Sequence, residues 1–357
     1  MMPLTREELF RKNFPDEPAF RWKQIGSALF QDGWNSWNNA TSLPAGLRQT
    51  LAENTPWTSY VDATIVGSGD NETHKAALKL TDGQCIETVL MRNRRGAWTI
   101  CVSSQVGCAM RCTFCATGRM GLQRNLTADE IVDQYRFWKR HLAEHTEQAG
   151  RISNLVFMGM GEPMANYDNV KAAIRTLLER TDVGPTHITV SSVGLLPQLE
   201  ALLGDQDWPP VRLAISLHSA DPVTRREIMP TSYEGFLGRL AAWSNRYLQE
   251  KGGRRRHVTF EYLLLAGVND TPRHAELLTA FVRASGRARV NLIPYNATDS
   301  GFTGSDETAT QDFLAALERA GIDATRRRSM GTDIAAACGQ LILKVKKDSP
   351  AADGAAS

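Results

Sequence analysis

The chain has 357 residues, of which 42% are apolar and 22% charged. That balance excludes a disordered polar chain and leaves room for one large or two ordinary domains with a sizeable core. No run of about 18 uncharged apolar residues occurs, and the start "MMPLTREELFRKNFPDEP" has no apolar signal stretch, so neither a membrane span nor export is expected and a cytoplasmic location follows.

Residues 1–57 carry short helical patterns: "TREELFRKNF", "RWKQIGSALFQDGW" and, with Pro44 near its start, "LPAGLRQTLAEN". They predict a small helical accessory domain. Over 58–96 the pattern changes to alternation in "SYVDATIV", "KAALKLT" and "CIETVLM", broken by "GSGDN" and "TDGQ", which predicts a strand-rich connector. Over 97–345 strands and helices alternate. The strands are "WTICVS", "NLVFMG", "HITVSS", "VRLAISL", "HVTFEYLLL" and "RVNLIPY", with a short further strand at "IDATRR". Helices such as "TADEIVDQYRFWKRHLAEH", opened by a Thr127–Glu130 capping box, lie between them. Repeated β-α units imply a parallel sheet. Six of them predict an α/β fold in the form of a partial six-repeat (β/α) barrel rather than a closed eightfold one. Residues 346–357, within "KKDSPAADGAAS", are expected to be a disordered tail.

The strand ends carry the unusual residues: "CAMRCTFC" after the first core strand, then "GMGEP", "SSVG", "SLHS" and "YN" after later ones. Ligands of parallel α/β sheets bind at the carboxyl ends of the strands, so these loops converge on one site. Cys108, Cys112 and Cys115 are spaced C-x3-C-x2-C, and in a cytosolic chain such cysteines bind metal or do chemistry. Three thiolates can hold a four-iron cluster and leave one iron for a small ligand's amine and carboxylate. With a distant fourth Cys or His they can instead hold a structural zinc, as in a non-catalytic RNA-binding protein. The net charge of +2 says little, but "RNRR" (92–95), "GRRRH" (253–257) and "RRR" (326–328) are clusters able to attract phosphates, or simply solvated loops.

"CAMRCTFC" resembles the cluster loop of the radical S-adenosylmethionine superfamily, and "GMGEP" its second landmark. "CVSSQVGCAMRCTFCATG", "VFMGMGEPMANYDNV", "AISLHS", "VNLIPYN" and "DIAAACGQL", in this order, resemble the RlmN/Cfr family of RNA adenine methyltransferases over about residues 15 to 345. The resemblance implies a 4Fe-4S cluster on the three cysteines, with S-adenosylmethionine on the open iron. It implies cofactor contacts from Gly161, Glu162, Ser191, Ser216, Leu217, His218 and Asn296. It further implies that Cys338 takes a methyl group by nucleophilic attack, and that a radical from a second S-adenosylmethionine activates this methyl for addition to an adenine ring carbon. Cys101 would resolve the covalent protein–RNA adduct through a transient disulfide, and Glu87 would be the base. As isolated residues, Cys101 and Cys338 would be packing thiols, His218 a core histidine and Glu87 an exposed strand carboxylate. Cys85 has no counterpart role and is expected to pack.

The implied substrate is RNA. "GEP" and "NLIPYN" look more like the RlmN type, which methylates C2 of an adenosine in the 23S rRNA peptidyl-transferase centre and often C2 of a purine beside the tRNA anticodon. The Cfr type methylates C8 of the same rRNA adenosine. The implied partners are the RNA and an external electron donor such as a flavodoxin, with the chain a monomer. Two departures stand beside Cys338: Ala335 where the family usually has aspartate, and Met330 where arginine is commoner. A radical enzyme acting on a protein or small molecule would need neither Cys101 with Cys338 nor an RNA-binding N-terminal domain.

Overall fold

The computed structural model describes residues 2–341 apart from 146, 147, 149 and 254–256. The arginines at 254–256 and the expected disordered tail lie outside the described residues. Three helices open the chain: α1 (Arg6–Asn13), α2 (Ala19–Leu29) and α3 (Ala45–Asn54). Thr5 and Glu8 close a capping box at the start of α1, each satisfying the other's backbone N–H. These helices bury a core of their own around Phe10, Ile25, Trp37 and Leu51.

One buried cation ties this bundle to the rest. Arg6 pairs with Asp129 and Asp133, and donates to the carbonyls of Pro56 and Trp57. Asp133 also accepts from the Ser59 N–H at 2.6 Å and pairs with Arg136. Burial works against charge on Asp133, but Arg6 and Arg136 outweigh it and hold the carboxyl down at about 2.

β1 (Tyr60–Gly67), β2 (Thr73–Leu80) and β3 (Cys85–Arg92) form an antiparallel meander that pairs on with β4 (Trp98–Cys101). The chain then leaves the sheet for a small hairpin, β5 (Gln105–Gly107) and β6 (Leu122–Asn125), which encloses the cysteine triplet and the short α4 (Ala116–Met120). After α5 (Ala128–Glu144), opened by the expected Thr127–Glu130 box, it returns as β7 (Ile152–Phe157). From there strands and helices alternate: α6 (Tyr167–Arg180), β8 (Ile188–Ser192), α7 (Leu196–Gly204) and β9 (Arg212–Ser216). Then follow α8 (Pro222–Ile228), α9 (Phe236–Glu250), β10 (Val258–Leu264), α10 (Pro272–Ala284), β11 (Ala288–Pro294), α11 (Glu307–Arg319) and β12 (Ala324–Arg326).

The result is one ten-stranded sheet in the order β1-β2-β3-β4-β7-β8-β9-β10-β11-β12, parallel from β4 onward. The strand-rich connector is therefore continuous with the core sheet. Its outer strands, β1 and β12, do not pair with each other among the described residues, so the barrel is open. Helices cover the parallel strands, which is why those strands are apolar runs and not alternating ones. Trp138, Trp243 and Phe260 are fully buried in this core, and burying a side chain of that kind stabilises by roughly 1.5–3 kcal/mol. The two indoles keep their N–H groups bonded, Trp138 to Thr88 Oγ1 and Trp243 to the Leu199 carbonyl.

Candidate active site

The cysteine loop is set by glycine geometry. Gly107 has φ +77°, and a Cβ there would sit 1.8 Å from the Gly121 carbonyl oxygen. That close approach lets the Cys108 N–H donate to the same carbonyl at 3.0 Å and folds the loop back on β6. The Cys115 N–H donates to Cys112 O, and the Thr113 N–H to Ile228 O at the end of α8. The thiols of Cys108, Cys112 and Cys115 all line a cavity of about 920 Å³ at the carboxyl ends of the strands.

Burial pushes all three thiols up, Cys108 to about 12 and Cys112 well above its ordinary value; repulsion from Cys115 adds to both, and repulsion from Cys338 adds to Cys115. Bare thiolates do not persist in such surroundings, and bound metal is what stabilises them. Among the described residues no three His, Cys, Asp or Glu side chains are gathered as a single metal ion would need. A donor set of three soft thiols spread around one cavity suits a cluster that takes each sulfur on a different iron.

Gly161 has φ +100°, and a Cβ there would meet Gln105 at 2.5 Å. The glycine lets the Gly159–Pro163 loop lie on β5, where Gln105 Oε1 accepts from the Glu162 N–H at 2.8 Å. The buried Glu162 carboxylate accepts from the N–H groups of Met164 and Val193 at 2.9 and 2.8 Å. Burial outweighs those donors and raises the carboxyl to about 7, so a ligand ammonium beside it would hold it ionised. Ser191 and Ser216, 3.4 Å apart through their hydroxyls, line the same cavity.

His218 lines it too, with φ +54°. Its Nδ1 accepts from the Leu263 N–H at 3.1 Å. Burial and then Arg225 push it down to about 3. It is a neutral ring carrying its proton on Nε2. Leu217, between two cavity residues, points into the core and is fully buried.

A second cavity of about 860 Å³ lies beside the first and is lined by Thr99, Cys101, Asn296, Arg328 and Cys338. Cys338, Arg327, Met158 and Ile293 line both, so they form the wall between them. Cys101 and Cys338 are free thiols that repel one another as thiolates; burial first, then Cys338, pushes Cys101 up to about 12. Arg327 contacts Glu261 and the Met158 sulfur at 3.4 and 3.3 Å. Its burial is outweighed by Cys338, Glu261 and Cys101, so its charge is reinforced.

The Cys338 loop is held from several sides. Asn296 Nδ2 donates to Cys338 O at 3.4 Å, the Ala116 N–H to Gly339 O, and Gln340 Nε2 to Ala297 O. Gly69 N–H donates to Asp333, and Lys75 Nζ donates to Ala335 O at 3.2 Å. Ala335 has φ +51°, a region aspartate tolerates better than alanine, so this departure from the family pattern leaves the loop with backbone strain.

Glu87 is fully buried and pairs with the nearly buried Lys75 at 3.0 Å, which overturns the exposed-carboxylate alternative. It lines neither cavity. Val89 pairs opposite Cys101, so by period 2 Glu87 lies on the strand face that bears Cys101, underneath the Cys338 loop. Cys85 is half-buried at the start of β3. The sequence reading missed Gln105, Lys75 and Arg225, and had Arg327 only as part of the 326–328 arginine cluster. A lysine inside the apolar alternation of "HKAALKL" was the one available signal for Lys75.

The comparisons agree with this geometry. A family model described as the radical SAM superfamily matches residues 102–278. A dual-specificity RNA methyltransferase RlmN of Anaeromyxobacter dehalogenans is 42% identical over 332 residues, 91% of this chain and 86% of that protein. A probable dual-specificity RNA methyltransferase RlmN of Moorella thermoacetica is 42% identical over 348 residues, 96% and 95% of the two chains. The crystal structure of a radical SAM methyltransferase from Sphaerobacter thermophilus superposes with a TM-score of 0.85 at 40% identity, covering 95% of this chain and 97% of that one. With the shared fold, the matched cluster loop and identity sustained over nearly the whole length, the chain belongs to the RlmN family of radical SAM RNA methyltransferases.

Proposed function

We propose that this RNA methyltransferase acts on C2 of an adenosine, in 23S rRNA and beside the tRNA anticodon, with Cys338 carrying the methyl group. The observation that supports this reading is the position of Cys338 in the wall shared by the two cavities. A carrier must meet the methyl donor on one side and the base on the other. The dual specificity in the relatives' names fits two RNA substrates.

Cys108, Cys112 and Cys115 would hold the four-iron cluster, and Glu162, Ser191, Ser216 and His218 would hold S-adenosylmethionine. The bound pair supplies both a sulfonium methyl and, after one-electron reduction, a radical that abstracts hydrogen. Cys338 would attack the sulfonium methyl as a thiolate and become a thioether, the S–CH3 bond breaking and the rest of the donor leaving as a thioether, with the charged Arg327 in the same wall. Loss of one hydrogen from that methyl would leave a carbon radical that adds to the adenine ring, and the adduct would return one electron to the bound cluster as its ring proton leaves. Glu87 would remove the ring proton once the loop and Lys75 release its carboxylate. Cys101 as thiolate would then attack the Cys338 sulfur; the S–C bond breaks with its electron pair on the methylene carbon, which takes up a proton to become the methyl group, and a protein disulfide is left for reduction. The RNA must present the adenosine unstacked, because its ring edge is otherwise hidden.

The test is anaerobic incubation of the reconstituted enzyme with S-adenosylmethionine, a reductant and rRNA or tRNA, followed by nucleoside mass spectrometry. 2-Methyladenosine is the expected product. 8-Methyladenosine would place the chain with the Cfr type in chemistry, and methylation confined to one RNA class would remove the other.

A further inference from the structure

Arg225 is a buried cation without a buried anion. It lies on α8 and is 0% exposed. Its guanidinium donates to three backbone carbonyls, Leu217, Val193 and Ser216, and to the Ser232 hydroxyl. It also stacks over the Phe236 ring at 4.1 Å. Its donors are therefore satisfied. Its charge is not: none of these hydrogen bonds goes to a carboxylate, and the end of α8 shares a buried cluster, Ile228 and Met229, with Cys112 of the cysteine loop. Glu162, the carboxylate nearest the cysteines in chemistry, is governed by burial and backbone donors without any contribution from Arg225. Taking an ion out of water without a counter-charge is among the most costly arrangements a fold can hold. Elsewhere this chain pairs its buried arginine, as Arg6 does with Asp133.

The cysteine loop supplies the missing charge only when it is loaded. Three thiolates on a four-iron cluster make a net anion, and reduction adds one more electron to it. α8 packs on that loop through the Ile228 carbonyl, which accepts from the Thr113 N–H at 3.0 Å. We propose that Arg225 is the internal counter-ion of the cluster, a fixed positive charge beside Cys112 that makes the cluster easier to reduce.

Net charge and surroundings set the reduction potential of iron–sulfur centres. A fixed cation favours the more negative, reduced form. The same guanidinium ties the β8 and β9 ends together, so a change in cofactor contacts would couple to the position of the charge. Arg225 is a positioning and tuning residue: it acts through Cys112 and touches no reacting atom. The inference rests on the three-cysteine cluster, which the iron content of the unaltered protein tests separately.

The experiment uses the full chain, reconstituted anaerobically with iron and sulfide, as wild type, Arg225→Lys, Arg225→Gln and Arg225→Met. Iron content, circular dichroism and a redox titration followed by electron paramagnetic resonance are measured for each. Ser232→Ala, which removes one hydrogen bond but no charge, is the control. The expected result is full iron in the wild type, a clearly more negative midpoint potential in both neutral variants, and a midpoint near wild type in Arg225→Lys and Ser232→Ala. Neutral variants that fold but take up no iron, beside a loaded Arg225→Lys, also support the counter-ion role. Neutral variants with the wild-type midpoint overturn it. So does an Arg225→Lys shift as large as that of Arg225→Met, or unfolding of every Arg225 variant, since each makes the hydrogen bonds and not the charge decisive. A wild type that takes up no iron sinks the cluster reading and the proposal with it.

Discussion

The two cavities share a wall but are built in different ways. The first is a product of the sheet: its residues stand at the ends of adjacent parallel strands, and short local turns aim them. The second is roofed by the Cys338 loop, which has no strand or helix of its own and is held by the Lys75 side chain of β2, the Gly69 N–H of the β1–β2 turn and the Asn296 side chain after β11. Where strand ends build a site, position follows from the sheet. Where a loop builds it, position depends on a few distant hydrogen bonds.

This contrast can be broken most sharply at the cysteines. Cys112→Ala should lose both iron and methyl transfer, measured by iron and sulfide assay and by methyl incorporation into RNA. Cys338→Ala should lose methyl transfer just as fully while its iron stays at the wild-type level, because Cys338 lies outside the C-x3-C-x2-C triplet and only walls the cluster cavity. Equal iron loss in the two variants would mean that the cavities are one unit.

Cys101→Ala should still take up iron and methylate Cys338, then stall as a covalent adduct. Denaturing electrophoresis of the protein purified from cells should show a retarded band that ribonuclease removes. An unshifted band with normal methylation would return Cys101 to packing.

The latch comes next in size. Lys75→Met removes the cation paired with the fully buried Glu87 carboxylate and the donor to the Ala335 carbonyl. Removing one partner of a buried ion pair costs about 3–5 kcal/mol. Urea unfolding should show that loss, and Glu87→Leu in the same chain should recover most of it. A loss in the single variant below about 1 kcal/mol, the level of an exposed pair, would show that the pair is open to water and does not secure the roof.

The smallest effect sharpens the comparison inside the loop itself. Ala335 holds φ +51°; relief of left-handed strain is worth about 1–2 kcal/mol and glycine's added chain entropy costs about 0.5–1. Ala335→Gly should therefore stabilise by about 0.5–1 kcal/mol in the same unfolding measurement. A destabilised variant would mean that the alanine methyl packs well enough to outweigh its backbone.

The strand-end cavity was largely legible in the sequence. A C-x3-C-x2-C spacing and a Gly-Glu-Pro turn are local patterns, and a parallel sheet sends such turns to one end. The roof was not. Lys75 and Ala335 meet only because β2 joins the same sheet as the core strands, and nothing in either segment announces the other. Cys101 and Cys338 were recognisable through family resemblance alone. Arg225 sits in an ordinary helical stretch, "PVTRREI", where only burial distinguishes it from its exposed neighbour Arg226. The β5–β6 hairpin escaped because strands of three and four residues are too short for alternation to register. Leu217 shows a finer limit: a motif names three consecutive residues, but here two side chains face the cavity and the third faces the core.

The distance along the chain between the roof and its supports gives the enzyme a schedule. Lys75 and Ala335 are 260 residues apart, Gly69 and Asp333 264, and Thr117 and Leu341 224. Closing such long loops adds little free-energy cost, since that cost rises only with the logarithm of length. It does impose an order on synthesis. The ribosome releases the cluster loop and the strands from β4 to β11 well before it releases Cys338, and segments can fold as they emerge. For that interval the nascent protein has a cysteine-lined cavity with one wall missing, and the wall closes only when the segment beyond β12 has emerged.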